Sequence, residues 1–274
     1  GVILAALQND VKRLLAYSSI ENIGVIFIGL GVATLAHAAG SPIVMTLALC
    51  GALMHTINHS LFKSLLFFGA GNIYSQMHTT HLDRFGGVAK HMPVTAILFL
   101  VATVAICALP PLNGFVGEFM IYLGMLNSVR DGVNTLYAAG GLLALALIGG
   151  IVVMAFTKLY STVFLGSPRH HHVAESEEVD SLRIAAMAIP VAGIIAIGLF
   201  PQYAIRIIEP VAESLTGTNV AYIDGYISPN LSRISLTAIL LIIAIALLYI
   251  VKRRAQSTRT VAKGPTWGCG VTSP

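Results

Sequence analysis

The sequence predicts an all-α, polytopic membrane protein, and three observations carry that reading. Its 274 residues are 56% hydrophobic and only 10% charged. Apolar runs of about twenty residues, the length that crosses a bilayer as a helix, recur along the whole chain. None shows the period-two alternation of a barrel strand, so the spans must be helices, which satisfy their own backbone groups within the segment. The net charge of +4 is no sign of a nucleic-acid partner in such a chain. Cys50 and Cys107 lie inside apolar runs and Cys269 in a basic tail, so no disulfide framework is indicated.

Residues 1–7 read as the last turns of a helix, closed by the polar connector QNDVKR. The chain opens on GVILAALQND, without a methionine, and is expected to be a fragment of a longer protein. Residues 14–36 form the first complete span, polar at its start, where AYSSIEN places Tyr17, Ser18, Ser19, Glu21 and Asn22. The next runs from Pro42, a residue suited to the first turn of a helix, to about Ser75. That exceeds the roughly twenty residues a crossing needs, so it tilts, bends or projects. A loop with Asp83, Arg84 and Lys90 follows. In 93–128 the apolar run is cut by ALPPLNGF; the second proline removes a helical donor and both restrict the residues before them, which predicts a discontinuous helix whose second half carries Glu118. Residues 135–165, with Lys158 late in the run, and 182–200 are further spans, separated by the polar loop SPRHHHVAESEEVDS. Residues 202–215 suit an interfacial helix that Pro210 shortens or interrupts. The last span, 234–251, ends at KRR, and 252–274 is a polar tail.

With the discontinuous stretch counted as one crossing, Lys12, Arg13, Arg84, Lys90, Arg169, Arg183 and the 252–254 triplet fall on one side. Arg130, Arg206 and Arg233 fall on the other. The populated side is the expected cytoplasmic one. Localisation in the cytoplasmic membrane of a bacterium or archaeon is the corresponding expectation.

Chemistry concentrates in LMHTINHSLFKSLLFFGA, residues 53–70. His55, His59 and Lys63 are spaced by four, so they form one helical stripe. A lysine in a hydrocarbon-length segment costs on the order of 2.5 kcal/mol or more, which makes a proton or ion route the default hypothesis. The alternative is a lysine that snorkels to a headgroup and histidines that only bond neighbouring helices. Glu118 is the second intramembrane charge, read either as a relay member or as one half of a helix–helix ion pair. Desolvation favours a neutral lysine and a nearby carboxylate a charged one, so a lysine between those influences can load and release a proton near neutral pH. Histidines accept at one nitrogen while donating at the other. Glu21 either lines the same axis or lies at the interface. Lys158 is expected to snorkel. The His170–His172 run presets no coordination geometry, so a solvated loop is preferred to a metal site. No phosphate-binding loop and no cysteine set for a cluster occurs, so no cofactor is expected in this chain.

Three stretches in order, DVKRLLAYSSIENIG, HTINHSLFKSLLFFGAG and LPPLNGFVGEF, resemble the antiporter-like proton-translocating subunits shared by respiratory complex I, membrane-bound hydrogenases and Mrp-type sodium/proton antiporters. With the terminal TWGCG they look most like the large membrane subunit of formate hydrogenlyase and hydrogenase-4. The resemblance implies two inverted five-helix repeats with one broken helix each. Residues 1–165 would be the second repeat, 166–251 additional helices and 252–274 a cytoplasmic tail. It implies that Lys63 matches the central proton-carrying lysine, His55 and His59 its companions, and Glu118 the ionisable residue of the second broken helix. It further implies partners: other membrane subunits and a peripheral iron–sulfur, nickel–iron or NADH-oxidising arm whose electron transfer drives the protons. The first repeat would lie outside this chain, which alone should not pump. An Mrp-type antiporter subunit and a non-pumping membrane anchor of a hydrogenase are the competing readings.

Overall fold

Polar residues at the connectors set where the helices start. The computed structural model describes residues 1–170, 173, 175–217 and 221–257. Among these residues the α-helices are α1 (Val2–Ala6), α2 (Val11–Ala38), α3 (Pro42–Met77), α4 (Pro93–Ile106), α5 (Asn113–Arg130), α6 (Thr135–Phe164), α7 (Ser181–Leu199), α8 (Pro201–Thr216) and α9 (Ala221–Ser257). Asp10 caps α2 by accepting from Arg13 N at 2.9 Å, and Asp180 caps α7 from Arg183 N at 3.0 Å. Prolines open α3, α4 and α8, where a missing N–H costs nothing. Among the described residues, five helices are long and apolar enough to cross a membrane: α2, α3, α6, α7 and, within α9, Ile227–Gln256.

The 36-residue α3, about 54 Å long, is the axis of the bundle and packs against α2, α4, α5, α7 and α8. Missing side chains allow the closest approaches. Gly69 of α3 lies against Phe99 of α4, and toward the other end Gly117 of α5 faces His55, Ile121 faces Gly51 and Gly124 faces Ala48. The order is antiparallel and continues through the break, so α4 and α5 run together as one discontinuous helix along α3. At the break Gly114 abuts the Ala105 carbonyl, and Gly198 of α7 abuts Pro111 and Leu112; a Cβ at either glycine would overlap backbone.

The connectors at one end are stitched together. Val11 N donates to Thr80 O and Leu82 N to Asn9 O, both at 2.9 Å, and Gly87 N donates to Leu165 O at 2.8 Å. The loops at 76–92 and 165–180 therefore share the end that carries most of the cations. At the opposite end, Asn134 donates to Leu35 O at 3.2 Å.

Two elements differ from the sequence expectation. Pro210 does not interrupt α8, which is continuous from Pro201 to Thr216. A proline forfeits one intrahelical bond, and burial of Ile205, Ile208 and Ala212 along one face offsets that loss. α9 does not stop at KRR but continues to Ser257. Lys and Arg are good helix formers, and cations suit a helix C-terminus.

The core is split. One apolar cluster holds Leu15, Phe62, Cys107, Val152 and Ile194. The other holds Val25, Met54, Val116, Leu145 and Ile205. Between these clusters, α2 contributes buried Ser18, Glu21 and Asn22, α3 contributes buried His55 and Asn58, and α5 contributes buried Asn113, which together make a polar layer midway through the bundle.

Candidate functional site

Three elements supply the layer. On α2, Ser18, Glu21 and Asn22 recur at helical spacing on one buried face. On α3, His55, Asn58 and Lys63 are buried and His59 is half-buried. On α5, buried Asn113 begins the helix and Glu118 follows one turn later, partly buried. Phe62 separates the two histidines from the apolar cluster below, its ring edge-on to His55 at 6.2 Å and to His59 at 5.6 Å.

Lys63 reaches across to α2, where its Nζ donates to Leu15 O at 2.7 Å and to Ser18 Oγ. Side chains on a helix lean toward its N-terminus, which carries the ammonium from the apolar cluster up to the layer. Its direct partners are thus neutral oxygens, and two acceptors serve three N–H donors. The nearest compensating charge is Glu21, which lies within electrostatic reach of both Lys63 and Glu118. Glu21 is 6% exposed, so its carboxyl lies inside the bundle.

Asn22 joins the two helices. Its Nδ2 donates to Ser18 O and to Glu21 Oε2, each at 2.8 Å, so its Oδ1 is the atom that faces His55 Nε2 at 3.0 Å. The neutral imidazole therefore carries its proton on Nε2 and presents Nδ1 as an acceptor. Among the described residues His55 Nδ1, His59 Nε2 and Asn113 Oδ1 are buried without a protein partner. Unsatisfied polar atoms in a native interior call for an explanation, and proton or water traffic is one.

The structure thus brings Glu21, His55 and Lys63 together through Ser18 and Asn22. Glu118 stands on the far side of the stripe, one residue beyond Gly117, whose missing side chain lets α5 lie against the His55 backbone. Its charge reaches Glu21. Asn58 and Asn113 have no part in the sequence reading, and Ser18 and Asn22 enter it only as polar surroundings of Glu21. The available signal was position: Asn58 lies three residues after His55, on the histidine face. Lys158 Nζ donates to Ala6 O at 3.3 Å and to Gln8 O and Asn9 Oδ1, both at 3.1 Å, which ties α6 to the polar connector after α1. His170 lines a cavity of about 130 Å³ with His78 and Arg84, while His171, His172 and the TWGCG stretch lie outside the described residues.

Comparison with known proteins gives a consistent relationship. The family model described as NADH:quinone oxidoreductase/Mrp antiporter, TM, matches residues 1–146. Hydrogenase-4 component B of Escherichia coli is 37% identical over 98% of this chain and 42% of its own length. Formate hydrogenlyase subunit 3 of the same organism is 35% identical over 98% of this chain and 44% of its own. The chain thus spans less than half the length of either relative. A chain of the membrane-bound sulfane sulfur reductase, an archaeal respiratory membrane complex, superposes with a TM-score of 0.74 at 23% identity, covering 98% of this chain and 41% of that one. That likeness establishes the shared fold.

Proposed function

The chain belongs to the NADH:quinone oxidoreductase/Mrp antiporter transmembrane family, and we propose that it forms the second antiporter-like repeat, residues 1–165, of a proton-translocating subunit in a hydrogenase- or NADH-quinone-oxidoreductase-type complex. Residues 166–257 add further helices. The partners are other membrane subunits and a peripheral arm whose electron transfer supplies the drive. The membrane is the cytoplasmic one, with the cation-rich end inside.

The observation that carries this reading is the coordination of Lys63. An ammonium held by Leu15 O and Ser18 Oγ keeps its hydrogen bonds in either protonation state, while Glu21 supplies charge compensation at a distance. A structural ion pair would place the carboxylate on the ammonium itself, and losing the proton would then strand a buried charge. Lys63 takes up and gives up the proton, Ser18 and Asn22 hold Lys63 and His55 in place, His55 through Nδ1 and His59 extend the stripe, and Glu118 receives or supplies protons on the α5 side. Glu21 sets the balance, since its ionisation favours a charged Lys63 and opposes a charged Glu118.

The test uses the full-length protein in its complex, in inverted membrane vesicles without sodium. Electron transfer through the partner subunits is expected to acidify the lumen, and Glu118→Gln to cut acidification at least about tenfold while electron transfer continues. Acidification that persists in Glu118→Gln would remove that residue from the path. A strict sodium requirement would favour the antiporter reading instead.

A further inference from the structure

The break between α4 and α5 frees backbone groups inside the bundle, and an unsatisfied polar group there costs roughly 1–3 kcal/mol. At this break a side chain of α3 reaches across to the start of α5. Asn58 Nδ2 donates to Asn113 O at 2.8 Å, and Asn113 Nδ2 donates back to Asn58 Oδ1 at 3.1 Å. Both residues are wholly inaccessible to solvent. Asn58 thus spends both ends of its amide on Asn113, one on the main-chain carbonyl and one on the side chain, and losing either side chain leaves a buried polar atom of the other unpaired.

The place of this pair is specific. On α3, Asn58 stands between His55 and His59. On α5, Asn113 is the first residue, and Glu118 follows about 7.5 Å farther along the axis. Gly117 lets α5 close onto His55 from the same side. The atoms His55 Nδ1, His59 Nε2 and Asn113 Oδ1, buried and unpartnered by protein, all belong to this α3–α5 seam.

We propose that Asn58 and Asn113 are positioning residues for the proton path: their reciprocal hydrogen bonds fix the second half of the broken helix against the histidine stripe and so set the surroundings of the Glu118 carboxyl. This rests on the relay reading above. If the pair served stability alone, replacing both side-chain amides by leucine would be close to neutral, since both are exchanged for apolar groups of similar shape and Asn113 O keeps its place in the α5 hydrogen-bond ladder.

The experiment compares the parent complex with Asn58→Leu/Asn113→Leu and with Asn58→Ala. It reads assembly, proton transport in inverted vesicles, and the infrared carboxyl band assigned through Glu118→Gln. The double variant is expected to assemble as the parent does, to transport about tenfold more slowly, and to shift the pH midpoint of the Glu118 band. Should it fail to assemble, Asn58→Ser, which keeps one of the two bonds, is read the same way, with transport several-fold slower and the band displaced. Parent-like transport with an unmoved band in whichever variant assembles overturns the proposal. If Glu118→Gln itself transports normally the relay reading falls, whereas a displaced band in the asparagine variants still upholds the clamp.

Discussion

Single residues decide whether the connectors hold the spans in register, and Asp10 shows how. It caps α2, accepts from Thr80 and pairs its backbone with the His81 region. Burial by itself pushes its carboxyl up, but the hydrogen bonds from Thr80 and from the Arg13 amide outweigh that and hold it below its ordinary value of 3.8. A carboxylate lowered in the folded state contributes stability that is fully present above the unfolded pKa and is lost as pH falls through the folded one. The parent protein is therefore expected to melt higher than Asp10→Asn at pH 7, with the difference shrinking below about pH 4. A difference that grows on acidification would show that the cap is not what the carboxylate provides. Of such contacts the sequence showed only a polar connector in QNDVKR, neither the cap at Asp10 nor its partner Thr80, seventy positions away. It announced Lys158 as a charge in an apolar run but not its target, because Ala6 O and Gln8 O are backbone atoms that any sequence would carry. The asparagine pair was hidden for the same reason: its two members are ordinary residues until α3 and α5 lie side by side.

Among elements, the broken helix is the one whose two ends need outside support. The Pro110–Pro111 pair made the break legible, and Gly114 and Gly117 were visible as residues without being legible as contact points. What secures the other end of α4 comes from the loop at 165–180. Val94 N and Thr95 N donate to Glu178 Oε2 at 2.7 and 3.2 Å, and Thr95 Oγ1 donates to Oε1 at 2.6 Å. That carboxylate occupies the N-terminus of α4, where free amides and the helix dipole both favour negative charge. The loop expected to be a solvated connector is thus a cap for a helix more than eighty residues earlier. Glu178→Ala is expected to lower the stability of the purified full-length protein by about 1 kcal/mol, seen as a lower melting temperature. Glu178→Gln, which keeps an acceptor, should recover part of it. Identical melting of parent and alanine variant would mean that the α4 terminus draws its support elsewhere.

At the scale of the whole molecule, an antiparallel discontinuous helix, stitched connectors and a polar layer between two apolar clusters describe one arrangement. The antiparallel run of α4 and α5 along α3 puts Asp83 and Ser167, both exposed, at one end and exposed Asp131 at the other. Cysteines placed singly at 83 and 167 should label from the same side of the membrane and one at 131 from the opposite side; opposite labelling of the first two would reject the single crossing. Lys63 is the cation of that layer. Replacing Lys63 by alanine removes that charge, whereas arginine keeps it but holds its proton, with a pKa above about 12. If Lys63 serves only as counter-charge to Glu21, arginine should rescue what alanine loses. The decisive measurement is proton transport by the full-length complex in inverted vesicles for Lys63→Ala and Lys63→Arg, with assembly confirmed for both. Both are expected to be inactive, because releasing a proton held about five units above neutrality takes roughly 7 kcal/mol in each cycle; robust transport by the arginine variant would contradict the proton-carrier role of Lys63.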